Sequence, residues 1–217
     1  MAWLRYLRVL IVVLGWAAGV LGVAYAINGA TQAPAWVRVP VTLAAAPDRA
    51  GPVEAHVDGI SVPDGWLTGP PPSGTRFYVA GQPSADSELT LAAWGSTRVE
   101  QLLARGRWLV GGLGVLVGAL ALAPLLGAIA DGYPFAPGTA RRLVVLAVTV
   151  AVAGVLAPLL PQIAGFLVLD RTGLAGPAFM ATPSVELTPL LVGALILAVA
   201  AAFRAGARMA DDVRGLV

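Results

Sequence analysis

The chain of 217 residues is 58% apolar and only 12% charged, with a mean hydropathy of +0.80, against roughly 45–50% apolar and about 25% charged in soluble domains. Its net charge of +2 is small and dispersed, which argues against a nucleic-acid surface. The lack of cysteine excludes disulfides, thiolate catalysis and Cys-based metal sites. Four stretches carry no charge, between Arg8 and Arg38, Arg107 and Asp131, Arg142 and Asp170, and Glu186 and Arg204. A bilayer-spanning helix needs roughly 17–25 predominantly apolar residues, and each stretch is long enough, the last only just. The composition therefore predicts an integral membrane protein with the lipid bilayer as its first partner.

The first transmembrane helix is expected over 6–27, with Trp3 and Tyr6 at the near interface and Tyr25 at the far one. Arg5, Arg8 and the small-residue run Ala24-Tyr25-Ala26 also resemble a signal peptide, but the apolar core from Val9 to Ile27 exceeds the usual length of about 7–15 residues. An uncleaved anchor is the favoured reading. Either way, residue 28 reaches the far side of the membrane.

Residues 28–92 change character. "WVRVPVTLAAA", "VEAHVDGISVP", "TRFYVAG" and "ELTLAAW" read as short strands punctuated by Pro-Asp, Asp-Gly and "GPPPSG". The expected fold is thus α-helical with four transmembrane helices, plus a small β-rich extracytoplasmic domain between helices one and two. A domain of that size is marginal alone and needs support from the helix ends. An amphipathic connection follows over 93–107, in which Val99, Leu102 and Leu103 share a face while Arg98, Glu100 and Arg105 stay wet.

Helix two is expected over 108–130. Gly111, Gly114 and Gly118 line one side of it, and Gly15, Gly19 and Gly22 on helix one offer a matching strip for pairing; the alternative is the ordinary abundance of glycine in membrane helices. The loop 131–142, "DGYPFAPGTARR", comes next. Asp131 and Gly132 end the helix, Pro134 forbids its continuation, Pro137-Gly138 turns again, and Thr139 is the candidate N-cap of helix three. Arg141 and Arg142 lie in a first helical turn, where the macrodipole disfavours positive charge, so membrane orientation is their better explanation. Helix three spans 143–160 and ends near Pro158 and Pro161. An external or interfacial connection covers 161–186, helix four covers 187–206, and a tail over 207–217 closes the chain with Gly215 as a helix stop.

Seven arginines, Arg5, Arg8, Arg141, Arg142, Arg204, Arg208 and Arg214, fall on the N-terminal side in short segments. The positive-inside rule then puts both termini and 131–142 in the cytoplasm, with Arg105 and Arg107 as the counter-signal.

Two motifs carry a family likeness. "DGYPFAPGTARRL" resembles the G-x-P-F … N-x-x-R-L loop of the domain of unknown function 2975 family, through Gly132, Pro134, Phe135, Arg142 and Leu143. "AAFRAGARMADDVRGLV" is similar to that family's closing pattern, through Phe203, Gly206, Asp211, Asp212, Leu216 and Val217. Gly138-Thr139 stands where the family often has an Asn, so no role for that amide carries over. The resemblance implies a small bacterial inner-membrane protein of four spans, often encoded beside a short helix-turn-helix regulator, with no established activity.

Catalytic signatures are absent. The candidate cluster is Glu54, His56 and Asp58, with the lone histidine flanked by acids at strand spacing, but zinc commonly takes several His or Cys. A solvated strand face is the preferred reading, with no metal and no cofactor. Neither a G-x-S-x-G elbow nor a phosphate-binding loop occurs, and lysine is missing altogether. The spans contain no ionisable group of the kind that coupled transporters place in the membrane. The expected function is a non-enzymatic sensor or scaffold that couples its external domain to a cytoplasmic regulator. A structural subunit among other membrane subunits is the alternative, and a small transporter or channel the weakest reading. The proposed docking surface joins Asp131, Gly132, Pro134, Phe135, Arg141 and Arg142 of the loop to Asp211 and Asp212 of the tail. The alternative reading is architectural, with Phe135 in the headgroup layer and the arginines orienting the helices and pairing with Asp211 or Asp212.

Overall fold

The computed structural model describes residues 2–43, 55–56, 76–77, 89–133, 135–136, 138–173, 179–181 and 183–214. Among the described residues, five helices and five strands follow in chain order: α1 (Ala2–Thr31), β1 (Val37–Leu43), β2 (Ala55–His56), β3 (Arg76–Phe77), β4 (Leu89–Ala93), α2 (Arg98–Ala104), α3 (Gly106–Ala130), α4 (Thr139–Thr172), β5 (Phe179–Met180) and α5 (Thr188–Arg214). Helices α1, α3, α4 and α5 are long and apolar enough to cross a membrane. Contacts divide the chain into a unit of 1–23, 108–157 and 186–217, and a unit of 24–107 and 158–185.

The first unit is a set of helices, each packed on the next. Gly15, Gly19 and Gly22 of α1 do form a packing strip, but against Ala119, Leu116 and the Trp108–Gly112 turn of α3. A Cβ on Gly112 would lie 2.5 Å from the Ala18 carbonyl oxygen, so only glycine permits this approach. The expected partner strip of Gly111, Gly114 and Gly118 is corrected accordingly. Gly114 faces Ala153 and Gly118 faces Leu146, both on α4, while Gly111 meets nothing within 4 Å. The reason is helical geometry: Gly112 lies about 100° round the helix from Gly111 and so points to a different neighbour. Between α4 and α5, Gly193 sits against the Ala147 carbonyl and Ala151. Leu125, Leu143 and Ala200 form a buried cluster with Ile196 and Phe203 beside it.

Helix α4 corrects a second expectation. It does not end at Pro158 and Pro161 but runs through both to Thr172. A proline inside a helix removes one backbone hydrogen bond, and apolar helices packed on neighbours tolerate that loss. Thr139 is also not the N-cap. It is the first helical residue and is buried, while the Gly138 carbonyl accepts from the Arg142 N–H at 3.1 Å. The proposed stop at Gly215 lies outside the described residues, and α5 continues to Arg214.

The second unit is built on a three-stranded antiparallel sheet in the order β4-β1-β5, with a separate pair β2-β3. Strands β1 and β4 pair from Val37↔Ala93 to Val41↔Leu89. Val37, Val39 and Val41 are buried while Arg38 is exposed, the period-two alternation of a half-buried strand. Those valines, with Leu91 and Ala93, pack on Ala164, Val168 and Leu169 of α4, with Leu103 and Ala104 of α2 beside them. Burial of each such side chain contributes roughly 1.5–3 kcal/mol for the larger residues. Gly165 lets α4 approach the Pro40 carbonyl, since a Cβ there would lie 2.8 Å from that oxygen. The third strand, β5, comes from the connection 161–186, which was expected to be external or interfacial. Its register is Thr42↔Met180 and Leu43↔Phe179.

Candidate functional site

The loop 131–142 is shaped by its helix ends. Gly132 has φ +82°, the Tyr133 N–H donates to the Ala128 carbonyl at 2.8 Å, and the Gly132 N–H donates to Ile129. This is a Schellman cap, which satisfies the last carbonyls of α3 with a glycine in the left-handed region. The Ala136 N–H then donates to the Tyr133 carbonyl, and Gly138, at φ +93°, turns the chain into α4. The described residues of the segment thus turn the chain between two long helices.

Phe135 stands on that bend. Its ring centroid lies 5.5 Å from that of Phe203 on α5, at an interplanar angle of 51°. A Cβ on Gly206 would come within 2.7 Å of the Phe135 ring, so the glycine one turn beyond Phe203 makes the seat. Phe135 remains 44% exposed, and Tyr133 close by is 64% exposed. Phe135, Phe203 and Gly206, drawn from two motifs far apart in sequence, therefore form one small aromatic platform.

The charged members of the loop and tail are only partly described. Asp131 pairs with Arg5 at 3.5 Å, with both side chains largely exposed. Arg141 and Arg142 are exposed, and their side chains make no ion pair among the described residues. Asp211 and Asp212 lie on the last turns of α5, but their side chains, like Pro134, lie outside the described residues. Glu54 and Asp58 lie outside them too. His56 belongs to β2, where it pairs with Arg76 of β3. Among the described residues, no group of three His, Cys, Asp or Glu side chains could hold a metal.

The second unit holds a polar cluster that sequence reasoning missed. Glu100, expected to stay wet, is 3% exposed, whereas Val99, expected on the apolar face, is 58% exposed. The inversion has a clear origin. Thr97 caps α2, accepting from the Glu100 N–H at 3.2 Å, while the Glu100 carboxylate accepts from the Thr97 N–H at 3.0 Å. This capping box turns the carboxylate inward. Arg171 Nε then donates to it at 2.9 Å. Gln101, 1% exposed, donates to the Trp36 carbonyl at 2.9 Å and to Ser96 Oγ at 2.7 Å. Ser96 Oγ in turn donates to the Ala35 carbonyl at 2.7 Å. Trp36 and Trp94 close the cluster edge to face at 5.3 Å. The spacing Thr97-x-x-Glu100 was a legible signal for the cap, whereas nothing in sequence links it to Arg171.

No family model, curated protein or solved structure matches the chain.

Proposed function

We propose that the chain is a four-span protein of the bacterial inner membrane, with both termini and 131–142 in the cytoplasm. It serves there as a non-enzymatic scaffold or sensor that docks a cytoplasmic regulator. The observation carrying this reading is the Phe135–Phe203 platform over Gly206. A half-exposed aromatic ring on a bend fixed at both ends loses little conformational freedom on binding. The exposed Arg141 and Arg142 supply charge in the first turn of α4. The family likeness of both motifs supports the same assignment, because its shared residues Phe135, Phe203 and Gly206 are the ones in contact.

Two further features support the four-span arrangement. Strand β5 pairs with β1, so the connections after α1 and after α4 share one compartment, as an even number of crossings between them requires. Arg105, one of the two arginines that run counter to the orientation, has its guanidinium 5.2 Å from the centre of the Tyr25 ring and lies against Gly29. A local cation–π contact accounts for its position.

The test has two arms. Single cysteines at Gln32 and Tyr133, both exposed, are labelled with an impermeant thiol reagent on intact cells. Reaction at residue 32 and not at 133 is expected, and the reverse overturns the orientation. Purification in mild detergent then compares the natural chain with Phe135→Ala. Loss of one defined soluble protein from the variant supports docking, whereas retention of membrane subunits alone in both supports a structural subunit.

A further inference from the structure

We propose that Arg5 and Arg8 hold the phosphate of an anionic phospholipid in a cleft between α1 and α3. The cleft has a volume of about 580 Å³, and Arg5, Arg8, Val9, Val12, Gly127 and Asp131 are among its lining residues. That volume lies within the range of about 300–1,000 Å³ of sites that enclose small molecules. The two arginines are three residues apart on α1 and so share a helix face. Along the same face the chain continues into valines, so the lining passes from cationic to apolar within about one turn. A phospholipid has that same order of chemistry, phosphate first and acyl chain next.

The charges are available for a ligand. Arg8 makes no hydrogen bond or ion pair among the described residues. Its guanidinium reaches over Gly127, with Nη1 3.1 Å from where a Cβ would stand, so a side chain at 127 would fill the cleft. Arg5 meets only Asp131 among the described residues, at 3.5 Å with both groups more than half exposed. Such pairs contribute about 0–1 kcal/mol. Asp131 carries a carboxylate into the cleft and reduces its charge to +1, yet it leaves Arg8 wholly unneutralised. Guanidinium groups suit phosphate because their fork donates two parallel hydrogen bonds. Basic pockets between helices at the cytoplasmic side select anionic headgroups for the same reason. A phosphorylated soluble ligand would not use the valine wall.

The site rests on the membrane placement proposed above but is independent of partner docking. The test reconstitutes the full chain into phosphatidylcholine nanodiscs containing a minority of phosphatidylglycerol with identical acyl chains. Lipid retained after mild detergent extraction is counted by native mass spectrometry. Phosphatidylglycerol should be enriched over phosphatidylcholine, and Arg8→Gln should reduce that enrichment about fivefold, the effect of about one basic residue. Gly127→Leu fills the cleft without changing charge and should reduce it as well, which keeps the result independent of any insertion defect in Arg8→Gln. Arg38→Gln, on a strand of the other unit, should leave it unchanged. Millimolar inorganic phosphate should not displace the lipid. Equal retention of the two lipids overturns the site, and so does an enrichment that survives both variants. Displacement by inorganic phosphate overturns the lipid as its occupant. A chain that does not enter the nanodiscs at all overturns the membrane placement together with the site.

Discussion

The carboxylate of Glu100, 4% exposed, accepts a hydrogen bond from Arg171 Nε at 2.9 Å across 71 positions of sequence. It joins the short helix before α3 to the last turn of α4. Removing one partner of a buried pair costs about 3–5 kcal/mol, but Arg171 is 31% exposed and water can reach its end of the pair. Arg171→Met should therefore lower stability by about 2 kcal/mol. Glu100→Gln keeps an acceptor for the Thr97 N–H and should cost about 1 kcal/mol. Thermal unfolding followed by tryptophan fluorescence in one detergent would measure both. A Tm unchanged in Arg171→Met would show that the pair is solvated.

Substitutions at neighbouring glycines of α3 should differ in effect. Gly112→Ala drives a methyl group into the Ala18 carbonyl and should cost about 1–3 kcal/mol. Gly111→Ala meets nothing within 4 Å and should be neutral or slightly stabilising. Equal Tm values for the two would remove Gly112 from the α1–α3 contact.

Gly206→Leu should displace the Phe135 ring from its seat, since even a Cβ would lie 2.7 Å from it. The loss is about 1 kcal/mol, the scale of one aromatic contact. Limited proteolysis of the detergent-solubilised chain should then cut near Tyr133 faster in the variant than in the natural chain. Unchanged cutting would mean that the bend holds its shape without the platform.

A cysteine pair at Thr42 and Met180 tests the third strand. These residues face each other across β1 and β5, where Cα atoms lie about 4.5–5.5 Å apart, within disulfide reach. The natural chain has no cysteine, so the crosslink reads out cleanly as a reduction-sensitive gel shift. Cysteines at Arg38 and Met180 should not crosslink. Failure of the first pair under oxidation would detach β5 from the sheet.

His56→Ala should leave thermal stability and bound metal unchanged, on the reading of Glu54, His56 and Asp58 as a solvated strand face. Stoichiometric metal in the natural protein that vanishes in His56→Ala, by elemental analysis of both, would reverse that reading.

The four long apolar helices were legible in the sequence because charge-free length is a one-dimensional property. Strands β1 and β4 fall within segments read as strands because alternation and turn residues are also local. The Gly132 helix stop was visible for the same reason. Tertiary structure decided what depends on pairing. Pro158 and Pro161 looked like stops, yet α4 runs through them, because their cost is a few kcal/mol and neighbouring contacts can outweigh it. Periodicity assigned Glu100 to water, but its cap turned it inward, and the Arg171 that neutralises it is distant in sequence. The glycine strip of α1 was readable, whereas its partner on α3 was not, since one residue of rotation chooses between Gly111 and Gly112. Sequence also held Phe135, Phe203 and Gly206 as separate motif positions; only folding brings the rings into contact, because aromatic contact depends on distance in space and not along the chain.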